Sequence, residues 1–355
     1  MQKSILIVGA GPTGLTAAVE LARLGHAVTI IDKRQGRAQL SRAVGILPAS
    51  MKILEPSGVA QHIREEAVRF SAFAIYHEAK EIGRIPLGQN ADDSDATLGL
   101  PQDRTEAHLS AALADRNVSV AYGTALETLD QDENGVTAGF GGNRTRFDYV
   151  LGADGVRSKV RQILGLPYDG FEIPEKWSIA DVDAPDWPEP TVFKAYMIPG
   201  GNVVVVAPMT PTRFRVVSST EDALSALPVP MPYENLRRTA AFTISVRQTP
   251  HYDTGRVYLA GDAAHCHSPA GGRGMNLGIA DAADFAQRLN TETLDGYSEA
   301  RHEIGEKTIE YSEKMRKSAM SENPVQRKLV ETGYWVIGRV PAIAHKFAER
   351  FAGDL

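Results

Sequence analysis

The residues from 261 to 278 have the types best suited to hold a ligand and support chemistry on it. Arg256–Ala260 resembles a short buried strand, and Gly261-Asp262 ends it with a carboxylate at the edge of a sheet where ligands bind in open α/β folds. The glycines between 271 and 274 expose main-chain N–H groups, and a helix expected to begin near Met275 points its positive end at the same place. The segment therefore predicts a flat ligand on which negative charge develops.

The first residues of the chain show a second ligand-binding pattern. Ser4–Val8 is typical of a buried parallel strand, Gly9–Gly14 has the spacing Gly-x-Gly-x-x-Gly, and Leu15–Leu24 predicts an amphipathic helix. A second strand, Ala27–Ile31, leads to Asp32. Such glycines let a pyrophosphate approach the helix N-terminus, and an acid about 20 residues further on can bind a ribose hydroxyl. The pattern predicts dinucleotide binding without separating FAD from NAD.

A third element lies between these two. Phe147–Leu151 predicts a strand, Gly152–Gly155 an acidic turn, and Val156–Arg161 a basic helical turn. On its own, this pattern is also explained by an ordinary capped helix after a strand. In their order and spacing, however, the three motifs resemble the single-component FAD-dependent aromatic hydroxylases, typified by para-hydroxybenzoate hydroxylase.

The resemblance implies one FAD site built from all three motifs. The first would hold the ADP part, Asp154-Gly155 would lie near the pyrophosphate and the route of the nicotinamide cofactor, and Gly261-Asp262 would bind the ribityl and pyrophosphate portion. Ser41-Arg42-Ala43 and the pair Gln102 and Glu106 match two further family features. Where the family more often has Glu, this chain has Asp32. The predicted FAD contacts are Gly9, Gly11, Pro12, Thr13, Gly14, Asp32, Lys33, Arg34, Arg42, Gln102, Asp154, Gly155, Gly261, Asp262, Pro269, Gly271, Gly272, Gly274, Met275 and Asn276.

The resemblance also implies a reaction. NADPH or NADH would reduce FAD, and O2 would form a flavin C4a-hydroperoxide that hydroxylates an electron-rich ring. No side chain is assigned as catalytic, because the cofactor carries the chemistry. The N–H groups from Gly274 to Asn276 would stabilise the reduced flavin, and an apolar pocket under Pro269 would exclude water.

The family lines its substrate pocket with strands that correspond here to 192–198, 202–207 and 213–218. The pocket candidates are Tyr196, Val206, Arg213 and Pro269, and four consecutive valines at 203–206 favour an apolar or polycyclic ring. Histidines at 251, 265 and 267 are possible bases by type. Two alternatives stay open: an FAD oxidase or double-bond reductase, and a flavin-binding protein that sequesters an intermediate.

Composition limits the partners. The 355 residues carry a formal charge of −6 without a long basic run, so neither nucleic acid nor an anionic membrane is an expected partner. No apolar run approaches a bilayer span, and a first strand at Ser4 leaves no room for a signal peptide, so a cytoplasmic location is expected. Cys266 is the only cysteine, and its flanking histidines do not have metal-ligand spacing, so no metal is expected. The expected partners are an aromatic small molecule and O2, with the protein a monomer or homodimer.

The expected fold is α/β, with α+β character: a Rossmann-like FAD-binding domain interleaved with a smaller β-rich substrate domain, followed by helices. The FAD domain would use residues 1–70, 98–168 and 252–295, and the substrate domain 70–97 and 169–251. The segment 296–355 would form C-terminal helices, broken near Pro324 and Pro341. Their apolar side is expected to dock on the enzyme through Leu329, Trp335, Ile337, Ile343 and Phe347.

Overall fold

The computed structural model describes residues 1–37, 43–87 and 96–352, with side chains up to residue 348. The strands are β1 Ser4–Val8, β2 Ala27–Asp32, β3 Gly45–Ile46, β4 Val68–Arg69, β5 Ala72–His77, β6 Lys80–Pro86, β7 Leu98–Gly99, β8 Val120–Tyr122, β9 Leu126–Asp132, β10 Gly135–Phe140, β11 Asn143–Phe147, β12 Tyr149–Gly152, β13 Asp169–Glu172, β14 Trp177–Asp183, β15 Val192–Ile198, β16 Asn202–Pro208, β17 Arg213–Ser218, β18 Asn235–Phe242, β19 Ser245–Gln248, β20 Asp253–Thr254, β21 Val257–Leu259 and β22 His265–Cys266. The helices are α1 Pro12–Arg23, α2 Pro48–Leu54, α3 Val59–Glu66, α4 Gln102–Ala114, α5 Lys159–Ile163, α6 Gly274–Asn290, α7 Tyr297–Ala319, α8 Pro324–Ile337 and α9 Pro341–Ala352.

A six-stranded sheet carries the three predicted motifs. Its order is β20-β21-β12-β1-β2-β8, and every neighbouring pair except β20 and β21 is parallel. Ile5, Leu6 and Ile7 of the central strand β1 are fully buried, as expected for a parallel strand covered on both faces. Because parallel strands end at the same edge, the residues that follow β1, β2, β12 and β21 come together there.

A second sheet has seven strands in the order β18-β14-β17-β16-β15-β5-β6. All its neighbouring pairs are antiparallel except β5 with β15. Its strands come from two separate parts of the chain, 72–86 and 177–242. Both parts lie within the segments expected to form the substrate domain. The mixed α/β fold with C-terminal helices is confirmed, and the domain boundaries stay a prediction.

Three small sheets complete the strand pairing that the structure describes. They have the orders β11-β10-β9, β3-β7-β4 and β13-β19-β22. The last of these connects β13 and β19 to His265–Cys266, directly after the Gly261-Asp262 motif. It therefore ties β13 and β19 to the segment that follows the predicted cofactor motif.

Several element boundaries differ from the sequence prediction. Phe147 ends β11 instead of starting the next strand, because it pairs with Val136, and β12 begins at Tyr149. The helix predicted from Val156 begins only at Lys159, since the Ser158 side chain caps it by accepting from the N–H of Arg161. Predicted starts for α1 and α6 were late by a few residues or less.

The C-terminal helices dock through only part of the predicted apolar side. α8 and α9 both contact β6. Tyr334, Ile337 and Phe347 pack against the apolar cluster there, whereas Leu329, Trp335 and Ile343 are 67%, 50% and 41% exposed. The expectation was wrong for these last three residues. None of the helices in the described ranges combines the length and hydropathy needed to cross a bilayer.

Candidate cofactor and active site

The three glycines of the first motif have different surroundings. A Cβ on Gly9 (φ +105°) would lie 2.4 Å from the Ala153 carbonyl oxygen, and a Cβ on Gly14 would lie 1.9 Å from the Gly9 carbonyl oxygen. These two glycines let β1, α1 and the turn after β12 approach one another. A Cβ on Gly11 would have no neighbour within 4 Å. The open space therefore lies at Gly11, directly before Pro12 at the N-terminus of α1.

The acid after β2 is already engaged by an arginine. Asp32 accepts from the N–H of Ala10 at 2.7 Å, and its Oδ2 lies 2.9 Å from Nη2 of Arg34. Burial alone would raise the pKa of Asp32, but the hydrogen bonds from Arg34 and Ala10 outweigh it and lower the pKa. Lys33 is exposed. A ribose hydroxyl would therefore share a carboxylate that is charged and already oriented.

The predicted pair on α4 extends this group. Gln102 Nε2 donates to Glu106 Oε1 at 2.9 Å, and the other oxygen of Glu106 lies 3.8 Å from Nη1 of Arg34. The Arg34 guanidinium thus lies between two buried carboxylates, those of Asp32 and Glu106. Arg42, the other predicted contact from this part of the chain, lies outside the described residues.

Asp154 has one satisfied and one unsatisfied oxygen. Its Oδ2 accepts from the N–H groups of Lys159 at 2.6 Å and Val160 at 3.3 Å. Its Oδ1 is buried and has no hydrogen-bond partner among the described residues, and burial raises the pKa of the carboxyl group. Gly155 follows with φ +78°, and a Cβ there would have no neighbour within 4 Å. An unused polar atom beside open space is what a bound polar group would satisfy.

The Gly261-Asp262 turn is held by two residues outside the motif, Arg161 and Tyr168. Arg161 Nη1 donates to the carbonyl oxygen of Ala263 at 2.7 Å, and the Tyr168 hydroxyl donates to that of Asp262 at 2.9 Å. The Arg161 guanidinium stacks on the Tyr168 ring at 3.7 Å. The Asp262 side chain is left exposed, at the carboxyl edge of the sheet.

A buried charge network supports the same turn. Asp281 of α6 is fully buried, and its Oδ2 accepts from the N–H of Gly261 at 2.8 Å and lies 2.6 Å from His265 Nε2. Its Oδ1 accepts from Nε of Arg301 in α7 at 2.6 Å. Burial opposes ionisation, but the charges of Arg301 and His265 lower the pKa of Asp281 to about 2. No short-range sequence signal identified Asp281 or Arg301.

The glycine-rich loop leads into α6 and is tied to β3. Gly271 and Gly272 have φ of +91° and +63°, and Gly274 is the first residue of the helix. The fully buried Asn276 side chain accepts from the N–H of Leu47 at 2.9 Å and donates to the carbonyl oxygens of Gly45 and Gly272, both at 3.0 Å. Pro269 is exposed and Met275 is buried. The sequence motif predicted only the main-chain N–H of Asn276 as a contact, and this side-chain anchor was not predicted.

Asn276→Asp is expected to destabilise the protein by about 1–3 kcal/mol and to weaken FAD binding, because a carboxylate cannot donate to the two carbonyl oxygens that it would face. Urea unfolding and a fluorescence titration with FAD measure the two effects. Asn143→Asp, which changes an exposed asparagine at the start of β11, is the matched control. Identical midpoints for the two variants would contradict the anchoring role.

The residues at this edge fit FAD. Open space adjoins Gly11, Gly155 and Gly272, where an added Cβ would meet no atom within 4 Å, and the Asp154 oxygen supplies an unsatisfied acceptor. The N-termini of α1 and α6 offer unpaired N–H groups to negative charge. The geometry thus suits an elongated ligand with phosphates at one helix and a flat ring at the other.

Comparison with known proteins decides the family. The protein-family description "FAD binding domain" matches residues 2–312. The chain belongs to the FAD-dependent aromatic hydroxylase family. The resemblance found from the three motifs is therefore confirmed.

Two curated relatives and one solved structure illustrate the similarity. The chain is 31% identical to a pentachlorophenol 4-monooxygenase of Sphingobium chlorophenolicum over 89% of this chain and 65% of that protein. It is 28% identical to an anhydrotetracycline monooxygenase of Streptomyces rimosus over 86% and 67% of the two chains. The chain thus spans about two thirds of the length of these relatives. A crystal structure of a p-nitrophenol 4-monooxygenase from Pseudomonas putida DLL-E4 has the same fold, with a TM-score of 0.89 at 24% identity over 100% of this chain and 99% of that one.

Three of the four predicted pocket residues, Tyr196, Val206 and Arg213, lie on two faces of the seven-stranded sheet, and Pro269 lies in the loop before α6. Tyr196 and Val206 are buried in an apolar cluster on one face, where the Tyr196 ring stacks on Tyr76 at 4.7 Å. Arg213 lies at the start of β17, with Nε 3.5 Å from Asp183 and its side chain 34% exposed. Side chains alternate between the two faces along a strand. Val205 therefore lies on the opposite face of the sheet from Val206 and Tyr196.

The three candidate histidines also separate. His251 is exposed, His265 belongs to the Asp281 network, and His267 lies near the start of α6. Cys266 lies between His265 and His267 in the chain, and its backbone is opposite Arg247 of β19 in the sheet. Burial raises the pKa of its thiol to about 11. The thiol is therefore protonated and unreactive at neutral pH.

Proposed function

We propose that the protein is an FAD-dependent monooxygenase that uses NADH or NADPH and O2 to hydroxylate a phenolic or polycyclic aromatic compound. The observation that supports this most directly is the meeting of Gly11, Asp154, Asp262 and the start of α6 at one edge of the parallel sheet. The names of the relatives, which include pentachlorophenol and anhydrotetracycline monooxygenases, agree with this substrate class. One oxygen atom of O2 enters the ring and the other leaves as water, while the nicotinamide is oxidised.

The residues at the sheet edge divide the binding of FAD among them. The N-terminus of α1 at Gly11 would take the pyrophosphate, and Asp32 with Arg34 would take the ribose. Asp262 would face the ribityl chain, and the N–H groups at the start of α6 would stabilise negative charge on the ring. When bound, FAD supplies the electron transfers and the activation of O2.

The proposed substrate wall is the face of the seven-stranded sheet that carries Val205. Ala195, Val205 and Val217 lie directly opposite one another on neighbouring strands and are only half-buried. The adjacent position on β17 is Arg215, which forms a buried two-bond ion pair with Asp181, both contacts at 2.7 Å, and whose Nη1 lies 3.4 Å from the Ala43 carbonyl oxygen. An apolar wall beside a fixed ion pair suits an aromatic ring and keeps water away from the reaction.

FAD-loaded protein should oxidise NADH or NADPH faster when the correct aromatic compound is added. Pentachlorophenol, p-nitrophenol and anhydrotetracycline form the first panel, with oxygen uptake, peroxide and product mass recorded together. We expect one compound to take up one oxygen atom with little peroxide released: a product heavier by one oxygen where a ring hydrogen is replaced, or exchange of a chlorine for a hydroxyl group with release of chloride for pentachlorophenol, which has no ring hydrogen. Bound FAD without stimulation or oxygen gain would favour an oxidase, a double-bond reductase or a sequestering protein, and purified protein unable to bind FAD would overturn the proposal entirely.

A further inference from the structure

His267 has one ring nitrogen fixed and the other unused. Its Nδ1 lies 2.8 Å from the main-chain carbonyl oxygen of Ser268 and 3.1 Å from Oγ of Ser312. The Ser312 hydroxyl donates its own hydrogen to the Thr308 carbonyl oxygen at 2.7 Å. Because a carbonyl oxygen can only accept, Nδ1 must carry the ring hydrogen, and in the neutral ring Nε2 carries the lone pair.

The lone pair of Nε2 borders the glycine-rich loop. Nε2 is buried and has no hydrogen-bond partner among the described residues. It is the nearest atom to the position of a Cβ on Gly274, at 3.9 Å, and a Cβ on Gly272 would meet no atom within 4 Å. A buried acceptor is normally satisfied. Its place beside this open loop indicates that the missing donor belongs to a molecule bound there.

The surroundings keep the His267 ring neutral. Burial lowers the pKa of His267 to about 4, and the charges of His265 and Arg273 act in the same direction. The Ser268 carbonyl and the Glu313 carboxylate oppose them, and Glu313 lies 2.9 Å from Arg316. A ring of this kind accepts a hydrogen bond near pH 7 but does not remove the proton of an ordinary phenol, whose pKa is near 10 in tyrosine.

We propose that Nε2 of His267 accepts a hydrogen bond from the neutral hydroxyl group of the aromatic substrate and so selects phenols over aryl ethers. This inference rests on the proposed function and names the substrate class more closely. It makes His267 a specificity-determining residue and not a general base. The site should bind the phenol better than the phenolate, because the lone pair of Nε2 repels an anionic oxygen.

The test compares binding of p-nitrophenol with that of p-nitroanisole, its methyl ether, to FAD-loaded protein. Perturbation of the flavin absorbance reports binding, and the visible absorbance of nitrophenolate reports ionisation of the bound probe. In His267→Phe, which keeps a ring of similar shape but lacks the acceptor, the preference for the phenol should fall about three- to tenfold. His267→Gln, which keeps an acceptor oxygen, should restore part of it, and the exposed His251→Phe should leave it unchanged.

Each other outcome counts against the inference. An unchanged preference in FAD-loaded His267→Phe would overturn it, as would wild-type protein that binds neither probe or binds p-nitrophenol as the phenolate. A variant altered in FAD affinity but not in the phenol preference would assign Nε2 to an N–H group of the flavin instead. Failure of wild-type protein to bind FAD would contradict the proposed function and is read separately from the flavin spectrum.

Discussion

Gly11→Ala should leave the protein folded and weaken FAD binding at least about tenfold, whereas Gly14→Ala should destabilise it by about 3 kcal/mol or more. The added methyl group of Gly11→Ala meets no protein atom within 4 Å, so it enters the space where the pyrophosphate is proposed to approach α1. The methyl group of Gly14→Ala would lie 1.9 Å from the Gly9 carbonyl oxygen, a distance that only backbone movement can relieve. The same substitution thus tests binding at one position and packing at the other.

Two measurements separate these effects. Urea unfolding of the apoprotein should give a Gly11→Ala midpoint close to wild type, because an alanine at the N-cap costs less than about 1 kcal/mol relative to glycine. Equilibrium titration with FAD should then show weaker binding in Gly11→Ala than in wild type, although the two proteins are equally stable. Wild-type FAD affinity in Gly11→Ala would place the pyrophosphate elsewhere, and a wild-type unfolding midpoint in Gly14→Ala would contradict the close packing of α1 on β1.

The parts of the fold that sequence analysis predicted are those with local patterns. Ser4–Val8 and Ala27–Asp32 are continuous apolar runs bounded by turn residues, so their strands were predicted to within a residue. The acid positions Asp32 and Asp154 followed from the same logic, since an acid directly after a parallel strand must lie at the sheet edge.

The features that the sequence did not predict depend on contacts between residues far apart in the chain, or on which face of a strand is turned to the cavity. Asp281 and Arg301 are 20 residues apart on two helices and meet only because α6 and α7 pack together. The face of β16 could not be read from four consecutive valines, because a strand without polar alternation gives no sign of which side faces a cavity. The docking prediction for the C-terminal helices was partly wrong for a related reason. Apolar residues lie on several sides of α8, and packing against β6 buries Tyr334 while Leu329 stays exposed.

Asp281→Asn is expected to destabilise the protein by about 3–5 kcal/mol, because it removes the buried carboxylate that pairs with both His265 and Arg301. All three neighbours of the Asp281 carboxylate, including the Gly261 N–H, present hydrogens to it. Whichever way an asparagine amide is placed, its NH2 group faces at least one of these donors. The Gly261-Asp262 turn should therefore loosen, and FAD binding should weaken together with stability.

Asp284→Asn is the matched control, since it removes a carboxylate from the same helix. The ion pair between Asp284 and Arg288 is partly exposed. That variant should change stability by less than about 1 kcal/mol. Acid should reproduce the loss at Asp281: its pKa is lowered to about 2 in the folded protein, so its contribution is fully present above the usual value of 3.8 and disappears as pH falls through about 2. Urea midpoints measured from neutral pH downwards should converge for wild type and Asp281→Asn only in that acidic range, and a constant gap across it would show that the network does not depend on the Asp281 charge.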